Sequence, residues 1–345
     1  MRLAVLDQST IVTGRTPAES IRETLELARY CEALGYSRYW LAEHHNSEAV
    51  AGAAPEVLMA AIAATTSSIR IGSAGIMLPH YSSLKVAEQF RMLEAIAPGR
   101  IDMGLGRAPG SDGLTAHALN PNAAAAADHF PAQVRDLLAW VSGTPLMEKH
   151  PFRSVVANPA GPTVPEAWIL GSSDYGAQVA AHFGLPYCFA HFITDGQGCA
   201  EALELYRHNY RPSERHPEPY ASVCVWALAA ESTAEAERQY GARALWRLSR
   251  DRGVFVALPS PAEAAAHAWT EAELARRERS QARAIIGTGA EVVAKLTALA
   301  EEMGVQEAAI LSTAHDPAVR RASYALIAAA AGLRPEQVAM AAAAE

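Results

Sequence analysis

The chain alternates. Short apolar segments that read as buried strands are separated by longer segments with helical periodicity, and the alternation runs almost end to end. Strand-like segments fall at 2–7 (RLAVLD), 37–43 (SRYWLAE), 69–78 (IRIGSAGIML), 100–106 (RIDMGLG), 167–171 (AWILG), 186–190 (PYCFA), 221–230 (ASVCVWALAA) and 308–313 (AAILST). Between them lie helix-like segments with recognisable start and stop signals. One begins at Pro17 and stops at Gly35; another opens on Pro55; a third, 82–99, ends in Pro-Gly. An alanine-rich helix is expected to end near Trp140, and a last helix near Ala331. Strand-helix alternation demands a parallel sheet with right-handed crossovers. Eight strands fit a closed (β/α)8 barrel, the TIM-barrel architecture, better than an open doubly wound sheet.

Residues 231–286 break the rhythm. They are charged, alanine-rich and too long for one connection, so they are expected to form extra helices at the barrel mouth. The chain, 1–345, is expected to be one barrel domain carrying that insertion. The terminal AMAAAAE is expected to fray.

Charge and cysteine usage narrow the function classes. Twenty-nine basic against 37 acidic residues give a net charge of −8 at pH 7, with no basic block, which argues against nucleic acid as a partner. Four cysteines form no CxxC pair and no metal spacing, so a reduced cytoplasmic setting is expected. The N-terminus has neither the apolar length nor the cleavage site of a signal peptide, and no run is apolar and long enough to suggest a membrane span.

A barrel puts its chemistry at the C-terminal ends of the strands. The residues expected there are Asp7 and Gln8; Glu43, His44 and His45; Ala74 and Gly75 through His80; Gly106 and Arg107; Gly171, Ser172 and Ser173; His191; and His315. Within YWLAEHH, strand alternation puts Trp40, Ala42 and His44 on one side and Tyr39, Leu41, Glu43 and His45 on the other. The two histidines therefore cannot chelate one metal together while the strand persists, and no HxH ligand pattern occurs. Two readings of His44 remain: a hydrogen-bonded histidine under a loop, or one that touches a cofactor or substrate. Glu43, buried at a strand end, calls for a partner such as Arg70 or Arg107.

Three glycine-rich stretches compete as anion sites. GLGRAPG (104–110) lacks the dinucleotide spacing but presents Arg107, which either receives a phosphate or pairs with Asp102 or Asp112. In ILGSSDYGAQVAAHFG (169–184), Ser172 and Ser173 precede a helix, and they either border an anion site or cap that helix. IIGTGAE (285–291) is the third, and a capping turn explains it fully.

YWLAEHH, the run IGSAGIMLPHYSSLKVAEQFRMLEAIAPGRIDMGLGRAPG and ILGSSDYGAQVAAHFGLP together resemble the luciferase-like flavin monooxygenases, and the opening AVLDQS is similar to the branch not known for light emission. The resemblance spans Leu3 to about Ala331. It implies an eight-stranded barrel that binds FMN, supplied reduced by a separate flavin reductase, and uses O2 to oxidise a small organic substrate. It implies that Arg107, Gly171, Ser172, Ser173 and the backbone at Tyr175 and Gly176 hold the flavin phosphate. It implies a non-proline cis peptide at Ala74–Gly75 beneath the flavin ring and an active-site role for His44. It also implies a homodimer. Some relatives use a deazaflavin and transfer hydride without oxygen, and others bind flavin without turnover, so both stand as alternatives.

Overall fold

The computed structural model describes residues 1–335. The terminal AMAAAAE lies outside the described residues. Eight parallel strands close into a barrel: β1 Arg2–Asp7, β2 Arg38–Leu41, β3 Arg70–Ser73, β4 Ile101–Gly106, β5 Glu166–Gly171, β6 Tyr187–Phe189, β7 Ala221–Ala229 and β8 Glu307–Leu311. Each pairs with its sequence neighbour, and β8 closes the ring on β1 with Arg2 opposite Glu307 and Leu6 opposite Leu311.

The two-residue alternation of the strands sorts their side chains. Leu3 and Val5 of β1 join the core between strands and helices, while Ala4 and Leu6 join the barrel interior with Trp40, Trp168, Cys188, Cys224 and Trp226. Trp40 and Trp168 meet edge-on inside the barrel, ring centroids 5.0 Å apart. Below them a charged cluster fills the N-terminal end. Arg38 donates to both oxygens of Asp102 at 2.9 Å and to Glu307 at 3.1 Å, Arg70 donates to Asp102 at 2.8 Å, and the Trp40 indole N–H donates to Asp102 at 2.8 Å. Burial alone would raise the Asp102 carboxyl; Arg38 and Arg70 outweigh it and hold the group below its ordinary value. These ions are paired and hydrogen-bonded, the condition for burying charge.

Two expectations need correction. The segment 69–78 is not one strand: β3 stops at Ser73, the Ala74–Gly75 peptide is cis, and a two-residue strand, Ile76–Met77, resumes against the end of β4. The backbone passes so close to β4 here that a Cβ on Gly104 would lie 2.0 Å from the Ser73 carbonyl oxygen. The stretch before Trp140 is three helices, Gly113–Leu119, Ala123–Asp128 and Phe130–Ser142, rather than one.

The 231–286 excursion contains the helices Thr233–Asp251, Pro261–Ala266 and Glu271–Gln281. Trp246 packs with Val12, Val50 and Leu258, and the backbone of Leu258 exchanges hydrogen bonds with Ile11 and Thr13. The excursion thereby joins the loop after β1. It ends in a short strand, Ile285–Gly287, paired in parallel with the C-terminal end of β7. Among the described residues, no helix is long and apolar enough to cross a membrane.

Candidate active site

A cavity of about 280 Å³ opens at the C-terminal ends of the strands. Its lining includes every residue singled out for cofactor and chemistry: His44, Ala74, Gly75, Arg107, Gly171, Ser172, Ser173, Tyr175 and Gly176. Gln8 lines it as expected.

β2 ends at Leu41, yet the alternation carries on past it. Trp40, Ala42 and His44 all face the cavity, while Tyr39 and Leu41 pack into the outer core. The His44 backbone N–H donates to the Gly52 carbonyl at 2.8 Å, and its buried Nδ1 has no hydrogen-bond partner among the described residues. Burial first, then the nearby Arg250 charge and His45, pull the His44 imidazole down to about 4, so the ring is neutral at pH 7.

Glu43 turns the other way. Its carboxylate is fully buried and accepts from the Tyr81 hydroxyl at 2.6 Å, the His45 ring at 2.7 Å and the Met77 backbone N–H at 3.0 Å. The expected pairing with Arg70 or Arg107 is therefore wrong. Arg70 is committed to Asp102, and the segment that reaches Glu43 comes instead from the far side of the Ala74–Gly75 bond. His45 and Glu43 thus pin the strand end, which leaves His44 aimed at the cavity.

Arg107 leaves β4 and lays its guanidinium over the Tyr175 ring, 4.0 Å from the centroid. Neither alternative partner takes it. Asp102 serves Arg38 and Arg70, and Asp112 caps the helix Gly113–Leu119 by accepting from the backbone N–H groups of Leu114 and Thr115. Among the described residues no carboxylate pairs with Arg107. Tyr175 belongs to the helix Asp174–Phe183, whose N-cap is Ser173. The Ser173 side chain makes no capping bond, so no side chain caps the first turn, and Arg107 lies over Tyr175 of that same turn. Ordinary capping does not explain Ser172 and Ser173.

The third anion candidate fails on the same criterion. Thr288 and Glu291 form a full capping box at the helix Gly289–Met303, and the Glu291 carboxylate accepts from the Thr288 backbone N–H at 2.7 Å. An acid already occupies that helix terminus.

Asp7, His315 and His191, all expected at the rim, lie elsewhere. Asp7 is buried against Arg320 at 2.7 Å and accepts from Tyr39 at 2.5 Å; burial would raise its carboxyl, but Arg320 and these hydrogen bonds hold it low. The His315 ring bonds the Thr13 carbonyl at 2.9 Å. His191 lines a separate, smaller cavity. Cys224 and Arg250 are among the cavity residues that had gone unassigned. Cys224 occupies an inward position of β7, which alternation with Trp226 could have marked. Arg250 comes from the excursion, and nothing in its local sequence signals where that helix lands.

The sequence model of the luciferase-like monooxygenases matches residues 1–307. The chain belongs to the luciferase-like monooxygenase family. It is an oxygen-using oxidoreductase of that family. A luciferase-like monooxygenase of Escherichia coli (strain K12) is 38% identical over 325 residues, 94% of this chain and 95% of that protein. An N-acetyl-S-alkylcysteine monooxygenase of Bacillus subtilis (strain 168) is 33% identical over 327 residues, 95% of this chain and 97% of that protein. Among solved structures, apo-MsnO8 superposes with a TM-score of 0.88 at 37% identity, covering 97% of this chain and 99% of that one.

Proposed function

We propose that the chain is the oxygenating component of a two-component, FMN-dependent monooxygenase, and that the cavity holds the flavin. The observation that carries this reading is Arg107, a guanidinium without a carboxylate partner, beside a helix N-terminus without a side-chain cap, in one cavity with an unpartnered neutral histidine. These residues fit FMN. Arg107, Ser172, Ser173 and the backbone N–H groups at Tyr175 and Gly176 would hold the phosphate, with Gly171 leaving room for its approach. The Ala74–Gly75 backbone would support the ring. The apolar walls, including Trp40, Leu170 and Cys188, exclude water from the reacting face.

Reduced flavin, when bound, supplies two electrons to O2 and activates it for transfer of one oxygen atom. The protein's own part is to position and to handle protons. Neutral His44 accepts a hydrogen bond through its unprotonated ring nitrogen or donates one through the other; among the described residues neither ring nitrogen has a hydrogen-bond partner, and Nδ1 is the buried one. The Glu43–His45 pair fixes the segment that carries it.

The reading extends to a flavin reductase as electron source, a homodimer, a reducing cytoplasm in keeping with four buried free cysteines, and one barrel domain over 1–345 with 231–286 at its mouth. The substrate named for the Bacillus relative makes N-acetylated S-alkylcysteines, as small thioethers, the first compounds to screen. The deciding experiment titrates the apoprotein with FMN, reduced FMN and a deazaflavin, then mixes each complex with O2 in the presence of substrate. Reduced FMN is expected to bind and to give oxygenated product. Preferential binding of the deazaflavin, with turnover independent of O2, would replace this reading; flavin binding without any product from O2 would reduce the protein to a flavin carrier.

A further inference from the structure

Behind Phe192, which lines the main cavity on one side, lies a smaller cavity of about 40 Å³. That exceeds the roughly 10–15 Å³ one water needs. Three guanidinium groups line it, Arg243, Arg247 and Arg283, against a single carboxylate, Asp195. Arg243 is the unusual one. It sits mid-helix in Thr233–Asp251 and is 6% exposed. Its guanidinium lies over the Trp226 ring, 4.2 Å from the centroid. That contact offsets part of the charge but satisfies none of the five N–H donors, and among the described residues no hydrogen-bond acceptor or carboxylate meets them.

The surrounding acids already have partners, and none of these is Arg243. Asp195 pairs with Arg247, Asp251 with Arg276 and Glu273 with Arg252. Burial first, then the neighbouring Arg247, pull the Arg243 guanidinium down to about 9, the direction expected of a buried cation short of counter-charge. A buried cation with unmet donors, in a cavity with excess positive charge, lacks an anion.

We propose that this cavity is an anion site separate from the active site, which takes a small oxyanion such as phosphate or sulfate on Arg243, Arg247 and Arg283. The three arginines come from two segments of the excursion, the helix Thr233–Asp251 and the turn after the helix Glu271–Gln281, and face the short helix His191–Thr194 that follows β6 and leads into Asp195. A bound anion ties these two segments of the excursion together immediately behind Phe192.

The test uses inorganic phosphate and must separate this site from the cavity around Arg107, which also attracts phosphate. The background is therefore Arg107→Ala, titrated with phosphate and with sulfate by calorimetry. One equivalent is expected to bind. Adding Arg243→Gln should abolish that binding. Adding Arg283→Ala, at an exposed position, should weaken it about tenfold, the scale of one charge-assisted contact, with the melting temperature in phosphate-free buffer unchanged. No binding in the Arg107→Ala protein, or binding indifferent to Arg283→Ala, overturns the proposal. The second result decides the matter even if Arg243→Gln does not fold.

Discussion

Arg107 offers the sharpest test at the level of single residues, because its guanidinium touches Tyr175 and no acid among the described residues. Replacing it with alanine should weaken FMN binding by about 1.5–3 kcal/mol, the scale of a charge-assisted hydrogen bond, and leave riboflavin, which lacks the phosphate, nearly unaffected. Equal losses for the two ligands would refute the phosphate assignment. His44 and His45 should separate in kind. His44→Ala should depress substrate oxidation while FMN affinity stays within about tenfold, since the phosphate anchor is untouched. His45→Ala should act through stability, at the roughly 1–3 kcal/mol of a lost buried hydrogen bond, because its ring bonds the buried Glu43 carboxylate. Paired thermal melts and turnover assays distinguish them; a reversed pattern sinks the assignment. pH adds an independent check. The unfolded chain protonates His44 near the ordinary 6.5, whereas the folded chain resists until about 4. In that window the unfolded state binds more protons, so acidification from 6.5 towards 4 costs the wild type stability. His44→Gln should lose less stability over the same interval in denaturant titrations. The parity of YWLAEHH made the direction of His44 legible in the sequence. The partners of Glu43 were not legible, because Met77 and Tyr81 reach it from beyond the break in the third strand, and no local pattern encodes that approach.

Secondary-structure elements were legible where burial imposes a period. All eight barrel strands show in the sequence because apolar runs bounded by turn residues leave few alternatives. What escaped was short or set by tertiary contact. The strand Ile285–Gly287 has three residues and exists by pairing with the overhanging end of β7. The helix Cys199–His208, between β6 and β7, carries mixed polar residues and no N-terminal capping side chain. Capping also explains which glycine-rich turn can receive an anion. The helices that begin at Pro17, Pro261, Glu271 and Gly289 each carry a full capping box, whereas Asp174–Phe183 has none. Thr288→Ala should therefore cost about 1 kcal/mol of stability, the usual value of a lost N-cap. It should leave flavin affinity unchanged, as equilibrium titration can establish. A drop in FMN affinity would return the phosphate to the terminus of Gly289–Met303.

At the scale of the whole molecule, the barrel consumes most of the apolar surface of the helices Pro55–Ala63 and Ser83–Ile96. Met59, Ile62, Val86, Phe90 and Leu93 are all buried within the chain's own core. What remains outward on the helices Pro55–Ala63 and Ser83–Ile96 is narrower: Val57 at 64%, Met92 at 54% and Ile96 at 47% exposure, along one shallow groove with Ala60. Glu56, Lys85 and Glu88 border that groove. An apolar centre with charged residues at its margin is the anatomy of a protein interface. Two copies meeting face to face present the same patch to each other, as a two-fold dimer requires. A stable pair buries roughly 800 Å² per partner, more than these three side chains supply, so the adjoining faces of both helices must take part. Light scattering at micromolar concentration should give the mass of a dimer. Met92→Glu would put like charges opposite each other at the centre of the patch, and should shift the mass to that of a monomer while leaving the melting temperature of the separated chain intact, because Met92 is already solvent-exposed. A wild type that already scatters as a monomer would show that these helices meet only water.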